Sequence, residues 1–172
     1  MYLQGSVVKT VESFKYLGSI ISNDGTIDAD IIHRKNTGWQ KWRDLAGVIC
    51  DQRMPIGVKD KIYKTAFRPA LIYGAECWSL KKQQSDKLHV AEMRMLRWSA
   101  WVTLLDKVPN HYIRGTFKVR RIQDKLAETR LWYGHVMRRQ EDHMTRKVLN
   151  ANLDPRKSGR HRLTWIATIK KT

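Results

Sequence analysis

The sequence is poor in several residue types, and each shortage excludes something. Only Cys50 and Cys77 are cysteines, four residues are proline, three are phenylalanine, and 16 acidic side chains stand against 33 Lys plus Arg in 172 residues. Two thiols cannot build a four-cysteine zinc site, and with no apolar leader at the start to send them to an oxidising compartment they are expected to be free. No apolar run approaches the roughly 18 residues that a membrane span requires, so no membrane partner is expected and the chain reads as soluble and intracellular. Also missing are a glycine-rich phosphate loop ending in Gly-Lys-Ser or Gly-Lys-Thr, a Gly-x-Ser-x-Gly nucleophile elbow and a His-Glu-x-x-His zinc pair.

What the sequence has in abundance is positive charge: a formal net charge of +17, with 16 basic and 10 acidic residues before position 101 and 17 against 6 after it. The basic clusters Arg120-Arg121, Arg138-Arg139, Arg146-Lys147, Arg156-Lys157 and Arg160-His161-Arg162 alternate with apolar residues. That pattern suits either a phosphate backbone, where each neutralised phosphate releases counterions, or a solvated face without a specific partner. The apolar share of 42%, with seven Trp and six Tyr, is enough for a packed core and argues against a disordered tail.

Residues 6–22, rich in Val, Ile, Phe and Tyr, predict two short strands or a hairpin bent near Gly18, closed by the turn residues Asn23-Asp24-Gly25. Helical spacing follows. Ile27, Ile31, Trp42 and Leu45 share one buried face, with the stem of Arg34 at its margin and Gly38 allowing a close approach. A second helix carries Ile62, Ala66 and Leu71 or Ile72, is kinked or divided at Pro69, and stops near Gly74. A third, over about 82–98, turns Leu88, Ala91, Met95 and Trp98 inward and Lys87, Arg94 and Arg97 outward. A fourth is outlined over 122–137. From Asn150 onward the chain reads as a flexible basic arm with Trp165 as its anchor.

The acids give little chemistry. Asp24, Asp28 and Asp30 form the one tight cluster, and first-turn acids beside a glycine turn read as helix-end partners exposed to solvent rather than metal ligands. Glu141, Asp142 and His143 are contiguous and spread around a helix as polar surface. Cys77 beside Trp78 reads as a small buried hydrophobe. No catalytic constellation emerges.

Five ordered blocks carry a resemblance: FKYLGSIISNDG at 14–25, RPALIYGAECW at 68–78, VAEMRMLRW at 90–98, RLWYGHVMRR at 130–139 and RKSGRHRLTW at 156–165. Together they resemble the C-terminal region of reverse transcriptases of non-long-terminal-repeat retrotransposons, over nearly the whole chain. The resemblance implies that Phe14 to Gly18 correspond to a primer-grip hairpin, the following helices to a thumb, and the distal basic region to the connection beyond it. Family polymerases bind magnesium through palm carboxylates that include an Asp-Asp pair, which this sequence does not contain. Magnesium is therefore implied only for a complete family polymerase, and no cofactor is expected for this chain alone. Departures include His161 where the family's basic tail has proline and Ala167 where it often has aspartate.

The expectation is a mainly α protein, a helical thumb-like bundle with a short N-terminal β-hairpin. Its divisions are a primer-grip-like hairpin (1–25), a thumb-like helical region (26–100), a basic helical connection (101–149) and a basic C-terminal arm (150–172). The expected function is that of a noncatalytic reverse-transcriptase fragment binding RNA or an RNA/DNA duplex through backbone contacts at Lys15, Tyr16, Arg94, Arg97, Arg138, Arg139, Arg160 and Arg162, with an upstream palm and fingers polypeptide as a further partner. The alternatives are a helical protein-interaction module derived from a retrotransposon and, less favoured, an autonomous metal-dependent nuclease using Asp24, Asp28 and Asp30.

Overall fold

Backbone pairing opens the chain in the computed structural model, which describes residues 9–150 and 164–169 together with the strand pairing of Tyr2–Leu3 (β1) and Ser6–Val7 (β2). Ser13–Tyr16 (β3) then pairs antiparallel with Ser19–Ser22 (β4). Tyr16 stands opposite Ser19, so only Leu17 and Gly18 make the turn, with φ of 46° and 86°. A two-residue hairpin of this hand needs positive φ at both positions, which Gly18 adopts freely and Leu17 does not. Leu17 is therefore a turn residue. The bend near Gly18 falls where the sequence placed it, and the Asp24 carboxylate accepts the Thr26 N–H at 2.9 Å to close the next turn.

Asp28–Asp44 (α1) buries Ile31, Gly38 and Trp42 as the periodicity predicted. A Cβ on Gly38 would lie 2.6 Å from Leu71 Cδ2, so the glycine is what lets α1 settle on the later helix. Ala46–Ile49 (α2) and Ile56–Ile62 (α3) follow, and a π-helical stretch over Tyr63–Phe67 leads into Arg68–Ile72 (α4). Pro69 has no N–H to continue α-type bonding, and the wider π turn ahead of it absorbs the missing bond. The predicted division at Pro69 is thus real, but the buried row is Tyr63, Phe67 and Leu71, with Ile62 and Ala66 only packed against its edge. Gly74, at φ 76°, ends this arm in the left-handed conformation.

Lys82–Ser99 (α5) is the central helix, and its Leu88, Ala91, Met95 and Leu96 enter the core. Around it lie Asn110–Thr116 (α6), Ile122–Thr129 (α7), Trp132–Met137 (α8), Met144–Asn150 (α9) and Trp165–Ile169 (α10). The single helix expected over 122–137 is two helices, because Ile122 and Leu126 turn into the core while Leu131 at the junction is exposed. The protein is a mainly helical bundle with a short N-terminal hairpin. Among the described residues no helix is long and apolar enough to cross a membrane.

Buried charge organises this bundle. Glu92 of α5 is 0% exposed; its Oε1 accepts the Tyr63 hydroxyl at 2.6 Å and Arg68 Nη2 at 2.8 Å, and its Oε2 accepts the Ile122 N–H at 3.3 Å. Arg68 also donates to the Arg120 carbonyl. Asp30, expected at the surface, is buried and accepts the Ile20 N–H and Trp78 Nε1, each at 2.9 Å. Arg34, beside it, donates to the Gly18 carbonyl at 2.5 Å and lies 4.5 Å from the Tyr73 ring centre. The hairpin is thereby fastened to α1. Lys59 is buried too, and its Nζ donates to the Ser99 carbonyl at 2.9 Å, at the negative end of α5. Cys50 and Cys77 are free thiols, but Cys77 is exposed and it is Trp78 that is buried, correcting the sequence reading of that pair.

Two predictions follow the packing. Gly38→Ala should lower stability by about 1–3 kcal/mol in urea denaturation, since Leu71 must move, whereas Gly47→Ala, with nothing within 4 Å of its added Cβ, should be neutral or raise it by up to about 1 kcal/mol. Burial first, and then the Glu92 charge, hold the Tyr63 phenol well above its ordinary value. The contribution is full below the unfolded value of about 10 and is lost as pH rises toward the folded one. Stability measured from about pH 9 to about pH 11 should therefore fall more steeply for the natural chain than for Tyr63→Phe.

Candidate nucleic-acid interface

Three places in the fold carry the predicted contacts. On the hairpin, Lys15 and Tyr16 are exposed along with the whole of β3, and Tyr16 stacks on Phe14 with ring centres 6.4 Å apart. Phe14 faces Ile21 across the strands and Lys15 faces Ile20, so the aromatic pair and the lysine occupy opposite sides of the ribbon.

The second place is a groove of about 480 Å³ between α1 and α5. Lys35 and Trp39, four apart on α1, meet Lys87, Val90 and Arg94 on α5. Lys87 and Arg94 are seven residues apart and hence about 10 Å apart along one side of the helix. Among the described residues of this lining Asp86 is the acid, and Lys87 Nζ also reaches Asp28 Oδ1 at 3.8 Å. A second groove of about 570 Å³ continues from it, sharing Trp39, Val90 and Arg94 and extending to His89, Trp98 and the loop after α5. Burial holds the His89 imidazole below its ordinary value, so it adds no cation at neutral pH.

Arg94 is exposed on this surface, whereas Arg97 is 8% exposed. Arg97 donates to the Thr103 carbonyl at 3.1 Å, the Val108 carbonyl at 2.6 Å and Asn110 Oδ1 at 2.9 Å. The two arginines expected to point outward together therefore differ: Arg94 is exposed on both grooves, whereas Arg97, buried at the wall of the second one, holds the loop over 101–109. Trp98 also departs from expectation. It is 56% exposed rather than buried, and packs edge-on against Trp39 at 5.6 Å and Trp42 at 5.2 Å. Trp101 stands exposed nearby, its Nε1 donating to the Cys50 carbonyl at 2.8 Å.

The third place is the turn between α8 and α9. Arg138 Nη2 lies 2.8 Å from His135 Nδ1, and Arg139 Nη1 lies 2.9 Å from His143 Nε2. Both guanidinium groups are exposed and contact imidazoles, which leave their charge uncancelled. Arg146 braces the turn by donating to the Met137 and Arg139 carbonyls. α10 docks behind α8: Trp165 packs on Tyr133 at 5.6 Å and Trp132 at 6.1 Å, and its Nε1 donates to the Glu76 carbonyl at 2.6 Å. Trp165 is an anchor. Arg160 and Arg162 lie outside the described residues.

The acids do not assemble. Asp24 bonds Thr26, Asp28 accepts Gln84 Nε2 at 3.0 Å, and Asp30 is taken up by Ile20 and Trp78. Among the described residues no group of three or more His, Cys, Asp or Glu is placed to hold a metal ion. Lys35 and Trp39 were missed by sequence reading. Their spacing of four was a usable signal, but nothing local identified α5 as the element that completes the groove.

This chain is a distant and partial homologue of transposon-derived and reverse-transcriptase-like proteins. It is 24% identical to a transposon-derived protein of Caenorhabditis elegans over 94% of its own length and 60% of that protein's. It is likewise 24% identical to the RNA-directed DNA polymerase from mobile element jockey of Drosophila melanogaster, again over 94% of this chain but 18% of the polymerase. The chain thus spans less than two thirds of either relative. It matches no protein-family profile and no solved structure.

The division between Arg94 and Arg97 is testable by limited proteolysis. Arg97→Ala should expose the loop over 101–109 to cleavage and lower stability by about 1–3 kcal/mol, because three acceptors lose a charged donor, while Arg94→Ala should change neither.

Proposed function

We propose that this chain binds RNA or an RNA/DNA duplex through its sugar-phosphate backbone, as a noncatalytic reverse-transcriptase-like C-terminal segment. The observation that carries the reading is the convergence of Lys35, Lys87 and Arg94 on one groove. The exposed Arg138 and Arg139 support it, and so does the surplus of +17. Phosphate oxygens are the ligands that such spaced cations suit, because they can be met along a strand without any demand on base sequence. Lys15 and Tyr16 are candidate contacts on the hairpin, and Arg160 and Arg162 on the arm.

Catalysis is assigned elsewhere. The relative named as an RNA-directed DNA polymerase is far longer than the matched region, and this sequence has no Asp-Asp pair. Transfer of a nucleotide would then need a palm and fingers polypeptide, with magnesium held there, and this chain would position the duplex. The protein-interaction reading has one observation of its own: Leu104 and Leu105 are 78% and 89% exposed beside Trp101, an apolar group suited to another polypeptide.

Fluorescence anisotropy with a labelled RNA/DNA duplex tests the proposal. Association is expected near 50 mM salt and should weaken with a log–log slope of about −0.9 for each phosphate contacted. Arg94→Glu and Arg138→Glu should each weaken binding and flatten that slope. No association at about 50 mM salt, or affinity indifferent to both reversals, would contradict it.

A further inference from the structure

The cationic groove ends at a tryptophan that the core leaves more than half exposed. Trp39 is shared by both grooves, and Trp98 extends the same wall, touching Trp39 and Trp42 by its edges while more than half of its surface meets solvent. Burying an indole is worth a great deal to a fold, so one left open at the end of a row of cations calls for a ligand with its own flat apolar surface and a negative charge next to it. A nucleobase attached to its phosphate has both. A base paired inside a duplex has its faces stacked on its neighbours and cannot offer them to an indole, but an unpaired base can. The lining supplies complementary charge: Arg94 belongs to both grooves, and among the described residues the second one, which contains Trp98, is lined by no acid.

We infer that the wall formed by Trp39 and Trp98 stacks an unpaired base of a single-stranded nucleic acid, with Arg94 and Lys35 meeting the flanking phosphates. This rests on the reading of the chain as a nucleic-acid binder and narrows it to a strand that leaves its duplex. Stacking on a ring accepts any base, so the site selects for strandedness and not for sequence. The buried Arg97 lines the second groove and holds the loop whose Val102 and Leu104 line it too.

The full chain can be tested with three fluorescein-labelled probes of equal length: a single-stranded RNA, a strand of abasic sugar-phosphates carrying the same charge, and an RNA/DNA duplex. The base-bearing strand should bind about 5- to 100-fold more tightly than the abasic one. Trp98→Ala should remove that difference and leave the abasic strand unaffected; Trp98→Tyr should restore most of it. Arg94→Ala should weaken both strands and reduce the salt slope by about 0.7. The comparison of probes on the unaltered chain does not depend on how any variant folds. Equal affinity for base-bearing and abasic strands, with duplex binding intact, overturns the stacking site and spares the backbone reading. Failure of all three probes to bind overturns both, and leaves the tryptophan wall to a polypeptide partner.

Discussion

A carboxylate sealed inside the bundle sets the arrangement of everything around it. Glu92 is fully buried, and its three donors lie 24, 29 and 30 positions away in sequence, on Arg68, Tyr63 and the start of α7. A charge taken out of water is tolerable only when each lone pair finds a donor, so α4, α5, the π turn and the first turn of α7 must all arrive together. The α7 end contributes a backbone N–H and the positive end of its peptide dipoles as well. At 100° per residue, Lys87, Val90, Arg94 and Trp98 lie on the side of α5 opposite Glu92. Fixing the inner face of this helix by one buried ion pair therefore also aims its outer face at the groove.

The same economy governs the charge pattern. Asp30 and Glu92 are consumed inside by Arg34, Trp78, Arg68 and Tyr63, and several surface acids pair with a base close in sequence, as Asp60 does with Lys64 and Asp124 with Arg121. Such exposed pairs add little stability, but they draw the negative charge into short-range partnerships. Part of the positive charge that remains is displayed at the α1–α5 groove and at the α8–α9 turn, where Arg138 and Arg139 have imidazoles for neighbours, and part lies on other faces, at exposed residues such as Arg53, Lys61 and Lys118. A surface with this field attracts polyanions from a distance and holds them less firmly as salt rises.

Much of the fold could be read from spacing alone. The hairpin, the α1 face with Gly38, the division at Pro69 and the extent of α5 all follow from periods of two and 3.6 and from the particular chemistry of glycine and proline. Buried charge could not be read that way. Asp30, Lys59, Arg68 and Glu92 meet partners supplied by segments distant in sequence, and a one-dimensional pattern does not contain those meetings. Trp98 failed in the opposite direction. Its spacing matched the core row, but Trp39 and Trp42 filled the space beneath it and left it at the rim. The candidate site was legible in type, as basic residues among aromatics, and only partly in membership, since Lys35 and Trp39 enter it through helix packing.

The claim on which the functional account rests is that the outer face of α5 and the facing part of α1 meet nucleic acid. Amide hydrogen exchange, followed by mass spectrometry with and without an RNA/DNA hybrid carrying a single-stranded overhang, tests this directly. The account predicts added protection concentrated in residues 35–42 and 83–98, with a second zone over 132–146. Protection confined to other segments, or none under low-salt conditions that saturate binding, would contradict it.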